Sequence, residues 1–161
     1  GTGLVGSEMC IRDRIRSLGD LGLMKLLVPV EYGGLELHPA GLIDFTDSLA
    51  QIHGSTAWVA MTCNEEAELV SAYLPIDTCR SLWKQEPSVV FAGSGVAKGR
   101  ARRTKGGWRV SGRWNFVSGC TTADKWILNS VVEESSPIQL CFAVVDPNPD
   151  FVEDTLSLIH I

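Results

Sequence analysis

The feature that most limits the fold is a change of pattern near Glu86-Pro87. Before it, apolar residues recur at helical spacing; after it, they alternate or run in short blocks cut by glycines. Leu18, Leu21, Leu23, Met24 and Leu27 predict the end of a helix, closed by Pro29 and the loop Glu31-Tyr32-Gly33-Gly34. His38-Pro39 leads into a second helix carrying Leu42, Ile43, Phe45, Leu49 and Ile52, with the proline suited to a first turn. Gly54-Ser55 predicts its end, and Ser55 or Thr56 then caps a third helix running to Tyr73. Pro75 stops that helix, and Asp77 caps a short fourth holding Cys79, Leu82 and Trp83. His38 and His53 fall at helix boundaries, where capping is the ordinary role. Downstream, Val89–Ala92, Trp108–Trp114, Lys125–Val132 and Ile138–Val145 predict strands, with Gly93-Ser94-Gly95 breaking the first. Helices first and strands later make an α+β plan. The expected fold is an N-terminal helical domain over residues 14–87 and a small antiparallel β-domain over residues 88–155.

A chain of 161 residues that is 45% apolar, with five tryptophans, can bury a core. Its net charge of -5 gives no electrostatic support to nucleic-acid binding. Arg100, Arg102, Arg103 and Lys105 form a local basic cluster beside Gly106-Gly107, which reads as a solvated hairpin end. The cysteines at 10, 63, 79, 120 and 141 form no C-x-x-C pair, and with three histidines there is no metal-site spacing. Single scattered cysteines fit a reducing cytoplasm. No run is long and apolar enough for a bilayer span, and no signal peptide is visible.

Both ends have the character of translated adapter DNA. Met9–Asp13 can be encoded ATG TGT ATA AGA GAC, and residues 156–161 can be encoded CTG TCT CTT ATA CAC ATC. The second string contains the reverse complement of the first, as in the inverted ends of a transposase-based sequencing adapter. Residues 1–13 and 156–161 are therefore expected to be foreign, which removes Cys10 and His160 from functional reasoning. The native protein is expected to extend in both directions.

The run Gly106–Cys120 holds the densest set of candidate site residues. A glycine turn opens it, because glycine accepts the positive φ of tight hairpins. An alternating strand follows, and then Phe116-Val117-Ser118-Gly119-Cys120 places an aromatic face, a hydroxyl and a bare backbone amide together. That combination suits the flat, polar-edged ring of a cofactor; an ordinary sheet corner is the competing reading. Gly93-Ser94-Gly95 lacks dinucleotide or phosphate-loop spacing, and neither Ser94 nor Ser118 has the context of a nucleophile elbow. Asn64-Glu65-Glu66 lies mid-helix after Trp58 and reads either as a solvated face or as a polar patch of a substrate pocket.

Three passages resemble the acyl-CoA dehydrogenase superfamily: LGLMKLLVPVEYGGLEL at 21–37, GSTAWVAM at 54–61 and GGWRVSGRWNFVSGCTTADKWIL at 106–128. The resemblance implies a helical domain, a β-domain and a further C-terminal helical domain that this chain lacks. It makes Ser94, Phe116, Ser118 and Gly119 the flavin-side candidates, and Trp58, Asn64 and Glu66 the substrate-pocket candidates. GSTAW and SGRWNFVSGC look more like the two-component flavin monooxygenases than the dehydrogenases. The loop AGSGVAKGR lacks the Thr-Glu-Pro and Gly-Ser-Asp runs usual in dehydrogenases. That branch implies reduced FMN or FAD supplied by a separate flavin reductase, oxygen as co-substrate, a small aromatic or related substrate, and a homo-oligomer, dimer or tetramer. A dehydrogenase of acyl-CoA thioesters and a non-catalytic helical-plus-β binding module are the alternatives. The catalytic base is expected in the missing domain. Phenol-hydroxylating relatives tend to carry a histidine where Asn64, Glu65 and Glu66 stand, so the resemblance leaves the substrate open.

Overall fold

The computed structural model describes residues 3–153, with side-chain detail from residue 11 onward. The tail expected to be foreign, residues 156–161 with His160, lies outside the described residues, as does the side chain of Cys10. The elements are α1 (Gly3–Asp20), a 3-10 turn (Val30–Tyr32), α2 (Pro39–Tyr73), α3 (Ile76–Gln85), β1 (Phe91–Thr104), β2 (Gly107–Ser111), β3 (Lys125–Val132), β4 (Leu140–Val145) and a last 3-10 turn (Pro149–Phe151). The helices-then-strands plan is what the chain adopts.

The two helices expected on either side of Gly54-Ser55 are one 35-residue element with a kink at His53 (φ -158, ψ 100). The His53 Nδ1 accepts from the Thr56 N–H at 3.2 Å and lies 2.9 Å from Thr56 Oγ1. A histidine ring thus supplies the cap expected of Ser55 or Thr56, and Gly54 and Ser55 continue the helix. His38 does the same at the start of α2, its Nδ1 accepting from the Ala40 N–H at 3.2 Å. Pro75 rather than Asp77 occupies the N-cap of α3; Asp77 sits in the first turn, where its charge complements the helix dipole.

The four strands form one sheet in the order β2-β1-β3-β4. β1 pairs antiparallel with β2 and β3 antiparallel with β4, but β1 and β3 run parallel. The sheet is therefore mixed instead of wholly antiparallel, because the chain returns after β2 and inserts β3 on the other edge of β1. Gly93-Ser94-Gly95 does not end the first strand: β1 runs through it, and the irregularity appears as a register shift between Ser94 and Gly99. The β1–β2 turn is Lys105-Gly106, since Gly107 already pairs with Thr104. Arg102 stands directly opposite Arg109, and Arg103 lies over the Trp108 ring at 4.5 Å.

Both faces of the start of β1 are covered. Val89 and Phe91 enter one core with Val28, Tyr32, Val70 and Trp83. Val90 and Ala92 enter a second with Ile15, Met24, Ala60, Cys63 and Trp126. This is the strand period of two with helices on both sides. The VPVEYGG segment earns its place here: Tyr32 stacks on Trp83 at 5.7 Å and 12°, and Trp83 tilts onto Phe91. Asp124 locks the start of the sheet, its Oδ2 accepting from the Val90 N–H at 2.9 Å and its Oδ1 from Arg16 at 2.7 Å. Among the described residues no helix is long and apolar enough to cross a membrane.

Candidate functional site

The connection from β2 to β3 carries three of the four flavin-side candidates and lays them on α2. Gly119 has φ 82, and a Cβ there would meet Val59 Cγ1 at 2.9 Å and Cys63 Sγ at 3.3 Å. Only glycine gives both the left-handed turn and the close approach to the helix. One residue earlier, the Ser118 Oγ accepts from Trp58 Nε1 at 3.1 Å. That bond uses an acceptor position of the hydroxyl, and its own proton stays available to a ligand. Phe116 holds φ 59 and is 90% exposed. A bulky side chain in that backbone region is strained, and such strain concentrates at ligand sites. Trp58, bonded to Ser118, is 57% exposed. Two exposed aromatic side chains and a hydroxyl with a spare proton are thus carried within one short stretch of the loop and the facing turn of α2.

Ser94 is placed differently. The pleat of β1 turns it away from the cleft-side residues Gly93 and Gly95; it is buried, and its carbonyl accepts from Asn129 Nδ2 at 2.7 Å. Asn129 was not singled out from the sequence, although an amide inside the apolar run Trp126–Val132 was a visible signal. Its own carbonyl accepts from Trp114 Nε1 at 2.7 Å, so one residue ties β1, β3 and the β2–β3 connection together.

The three substrate-side candidates on α2 separate. Trp58 joins the loop just described. Asn64 is fully buried and points into the helical domain: its Oδ1 accepts from the Leu26 N–H at 2.8 Å, and its Nδ2 donates to the carbonyls of Leu23 (3.0 Å) and Ala60 (2.9 Å). It holds the 23–26 loop against α2 and does not line the cleft. Glu66 does line a cleft of about 280 Å³, between α2 and the sheet. Alternate positions 93, 95 and 97 of β1 are Gly, Gly and Ala, which leaves room on that face of the strand. A Cβ on Gly93 would lie 2.5 Å from Glu66 Oε1. Burial, with the charge of Glu65 added, pushes the Glu66 carboxyl up to about 7. Trp58, Thr62, Glu66 and Leu69 recur at helical spacing, so one stripe of α2 runs from the loop to the cleft.

Residues 6–73 match the family described as acyl-CoA dehydrogenase, N-terminal domain. The match begins inside the first thirteen residues. Indole-3-acetate monooxygenase of Acinetobacter baumannii is 38% identical over 113 residues, covering 70% of this chain and 28% of that protein. The oxygenase component of the FADH(2)-dependent resorcinol hydroxylase of a Rhizobium species is 27% identical over 151 residues, covering 91% of this chain and 36% of that protein. The crystal structure of the HsaA monooxygenase from M. tuberculosis superposes with a TM-score of 0.71 at 27% identity, over 85% of this chain and 42% of that one. The chain thus spans 28% and 36% of the two curated relatives. Residues 6–73 are thus similar to the acyl-CoA dehydrogenase N-terminal domain, and the helical-plus-β arrangement that follows from them is shared with a solved flavin monooxygenase.

Proposed function

We propose that this chain is part of the oxygenase component of a flavin-dependent monooxygenase that hydroxylates a small aromatic substrate. The carrying observation is the meeting of the two resembling passages at one point, Trp58 Nε1 on Ser118 Oγ at 3.1 Å. The reading draws further support from relatives named for aromatic substrates and for FADH(2). A reduced flavin, FADH2 or reduced FMN, supplies the activation of oxygen when bound. The chain's own residues bind and exclude water: Phe116 offers a face, Ser118 a hydrogen-bond donor, Gly119 a close backbone approach and Trp58 a wall. Ser94, buried in β1 with its carbonyl held by Asn129, is set apart from this wall. The printed description of one relative as an oxygenase component supports a separate flavin reductase as partner, and the family resemblance carries the expectation of a homo-oligomer, dimer or tetramer, for the full-length protein. Free thiols at Cys63, Cys79 and Cys141 suit a cytoplasmic setting.

The test uses the full-length parent with chemically reduced flavin, oxygen and a panel of phenols and indoles. Hydroxylated product formed in proportion to flavin oxidised supports the reading. Turnover of an acyl-CoA thioester with an electron acceptor, and no hydroxylation, replaces it with the dehydrogenase reading.

A further inference from the structure

We propose that the face of the β1–β2 hairpin bearing Arg100, Arg102 and Arg109 is a docking surface for a short acidic segment of a partner protein. Such a surface lies outside the monooxygenase reading and stands without it. Charge is sharply segregated along the chain. Seven of its 14 Lys and Arg fall between Lys98 and Arg113, with no Asp or Glu among them; the other seven meet all 19 acids. Among the described residues, only Arg113 of those seven makes an ion pair, with Glu153. The register sets Arg100 opposite Ser111 and Arg102 opposite Arg109, and residues so paired share a face. All four are exposed. Directly opposed residues hold their Cβ atoms about 4.5–5.5 Å apart, and like charges held so destabilise the sheet. The chain supplies no carboxylate to relieve this. A partner that brings carboxylates turns the repulsion into attraction, and the planar forks of arginine can grip them with paired hydrogen bonds.

The surroundings of this face narrow the occupant. Exposed side chains on a strand surface suit a macromolecule, since small ligands need concave sites. The opposite face takes the aromatic rings. Trp108 sits there under Arg103, the centroid 4.5 Å from the guanidinium, and Trp114 lies there against Gly99 and Gly112. The arginine face therefore lacks the stacking platform on which single-stranded nucleic acid depends. It is also short. The register from Arg100 to Thr104 spans roughly 13 Å at ~3.3 Å per residue, the length of about four residues of extended peptide. Glu133, one residue past the Val132 that pairs with Ala101, closes the basic strip on the β3 side. A long polyanion running beyond the hairpin meets the acid-rich remainder of the chain and is repelled. A local run of carboxylates on a protein meets only the arginines.

The probe is a fluorescein-labelled peptide of eight glutamates, titrated against the full-length protein at low salt and followed by fluorescence anisotropy. An octaglutamine peptide and an eight-nucleotide oligo-dT are the comparison ligands. Arg102→Gln, Arg109→Gln and Arg103→Gln each remove one positive charge, the first two from the proposed face and the third from the other. The glutamate peptide is expected to bind, octaglutamine not to bind, and oligo-dT to bind about tenfold more weakly. Arg102→Gln and Arg109→Gln should each weaken the glutamate peptide by about three- to fivefold, and Arg103→Gln by about twofold or less. Binding should disappear near 1 M salt, where the Debye length is about 3 Å. Urea midpoints of Arg102→Gln and Arg109→Gln should equal or exceed the wild type's, because each relieves the facing pair; weaker binding then cannot be unfolding. No binding of the glutamate peptide overturns the proposal, as does an equal loss in Arg103→Gln, which marks a response to net charge alone. Oligo-dT bound as tightly replaces the protein segment with nucleic acid. A sedimentation mass that falls in the Arg102→Gln/Arg109→Gln double variant gives the face to a second copy of the chain and overturns the proposal as well.

Discussion

The indole of Trp58 donates its N–H to the hydroxyl of Ser118 across 3.1 Å, joining residues sixty positions apart in the chain. Because the indole can only donate, the serine oxygen accepts, and the serine proton points to whatever lies beyond. Ser118→Ala removes that outward donor. In the full-length protein it is expected to raise peroxide released per flavin oxidised several-fold, because hydrogen bonds to the cofactor suppress its unproductive decay. The fold should lose about 1 kcal/mol or less, since both groups are half-exposed and water replaces the bond. Peroxide assay beside product quantification checks this; unchanged coupling removes Ser118 from the cofactor site.

Glu66 predicts a pH-dependent stability with a definite sign. Its carboxyl is raised from 4.5 to about 7, first by burial and then by Glu65, the one other charged group lining the cleft. The folded chain holds this proton more tightly than the unfolded chain does. Stability from this group is thus greatest at low pH and falls as pH rises through the window from 4.5 to about 7. Glu66→Gln removes the titration. Its urea midpoint should exceed the wild type's at pH 8 and approach it near pH 4.5; a constant difference at both pH values contradicts the assignment.

Asn64 is expected to matter for the fold more than for any ligand. Asn64→Ala strands the buried Leu26 N–H, takes a side-chain donor from the Leu23 and Ala60 carbonyls and leaves a small void. The expected cost is about 2–4 kcal/mol. Asn64→Asp keeps an acceptor for Leu26 but turns a carboxyl oxygen against the Leu23 and Ala60 carbonyls. It should therefore be less stable at pH 8 than at pH 5 relative to wild type. Denaturation midpoints at the two pH values decide the matter.

The hairpin carries a local conflict that substitution can relieve. Arg102 and Arg109 face each other directly, and like charges so placed destabilise a sheet. Arg109→Glu replaces repulsion by attraction and is expected to raise stability by about 0.5 kcal/mol at low salt. The gain should fade near 1 M salt, where the Debye length is about 3 Å. Urea titrations at both salt concentrations measure it.

The order of elements was readable because periodicity switches sharply at Glu86-Pro87, and both histidine caps were readable from their positions beside proline and glycine. Other features depend on partners distant in sequence. Gly93-Ser94-Gly95 has the composition of a turn, yet β3 pairs along it and holds it extended. The parallel pairing of β1 and β3 has no local signature. Asn64 and Glu66 are two residues apart on one helix, and only the packing of the 23–26 loop and the small residues of β1 determine which of them turns inward. Phe116 and Ser118 were visible as chemistry, but the approach of Trp58 was a fact of tertiary structure.

The parallel placement of β1 and β3 has one more result. Ser111 lies opposite Arg100 and Lys125 opposite Phe91, so residues 112–124 must carry the chain back along nine positions of β1, roughly 30 Å at ~3.3 Å per residue. The segment bearing Phe116, Ser118 and Gly119 is a strut of the sheet's wiring as well as a wall of the proposed site. New residues inserted at the Lys105-Gly106 tip meet only solvent. The same insertion between 112 and 124 slackens the span that positions β3. Diversification of ligand choice on this scaffold is thereby channelled into side-chain replacement at constant loop length.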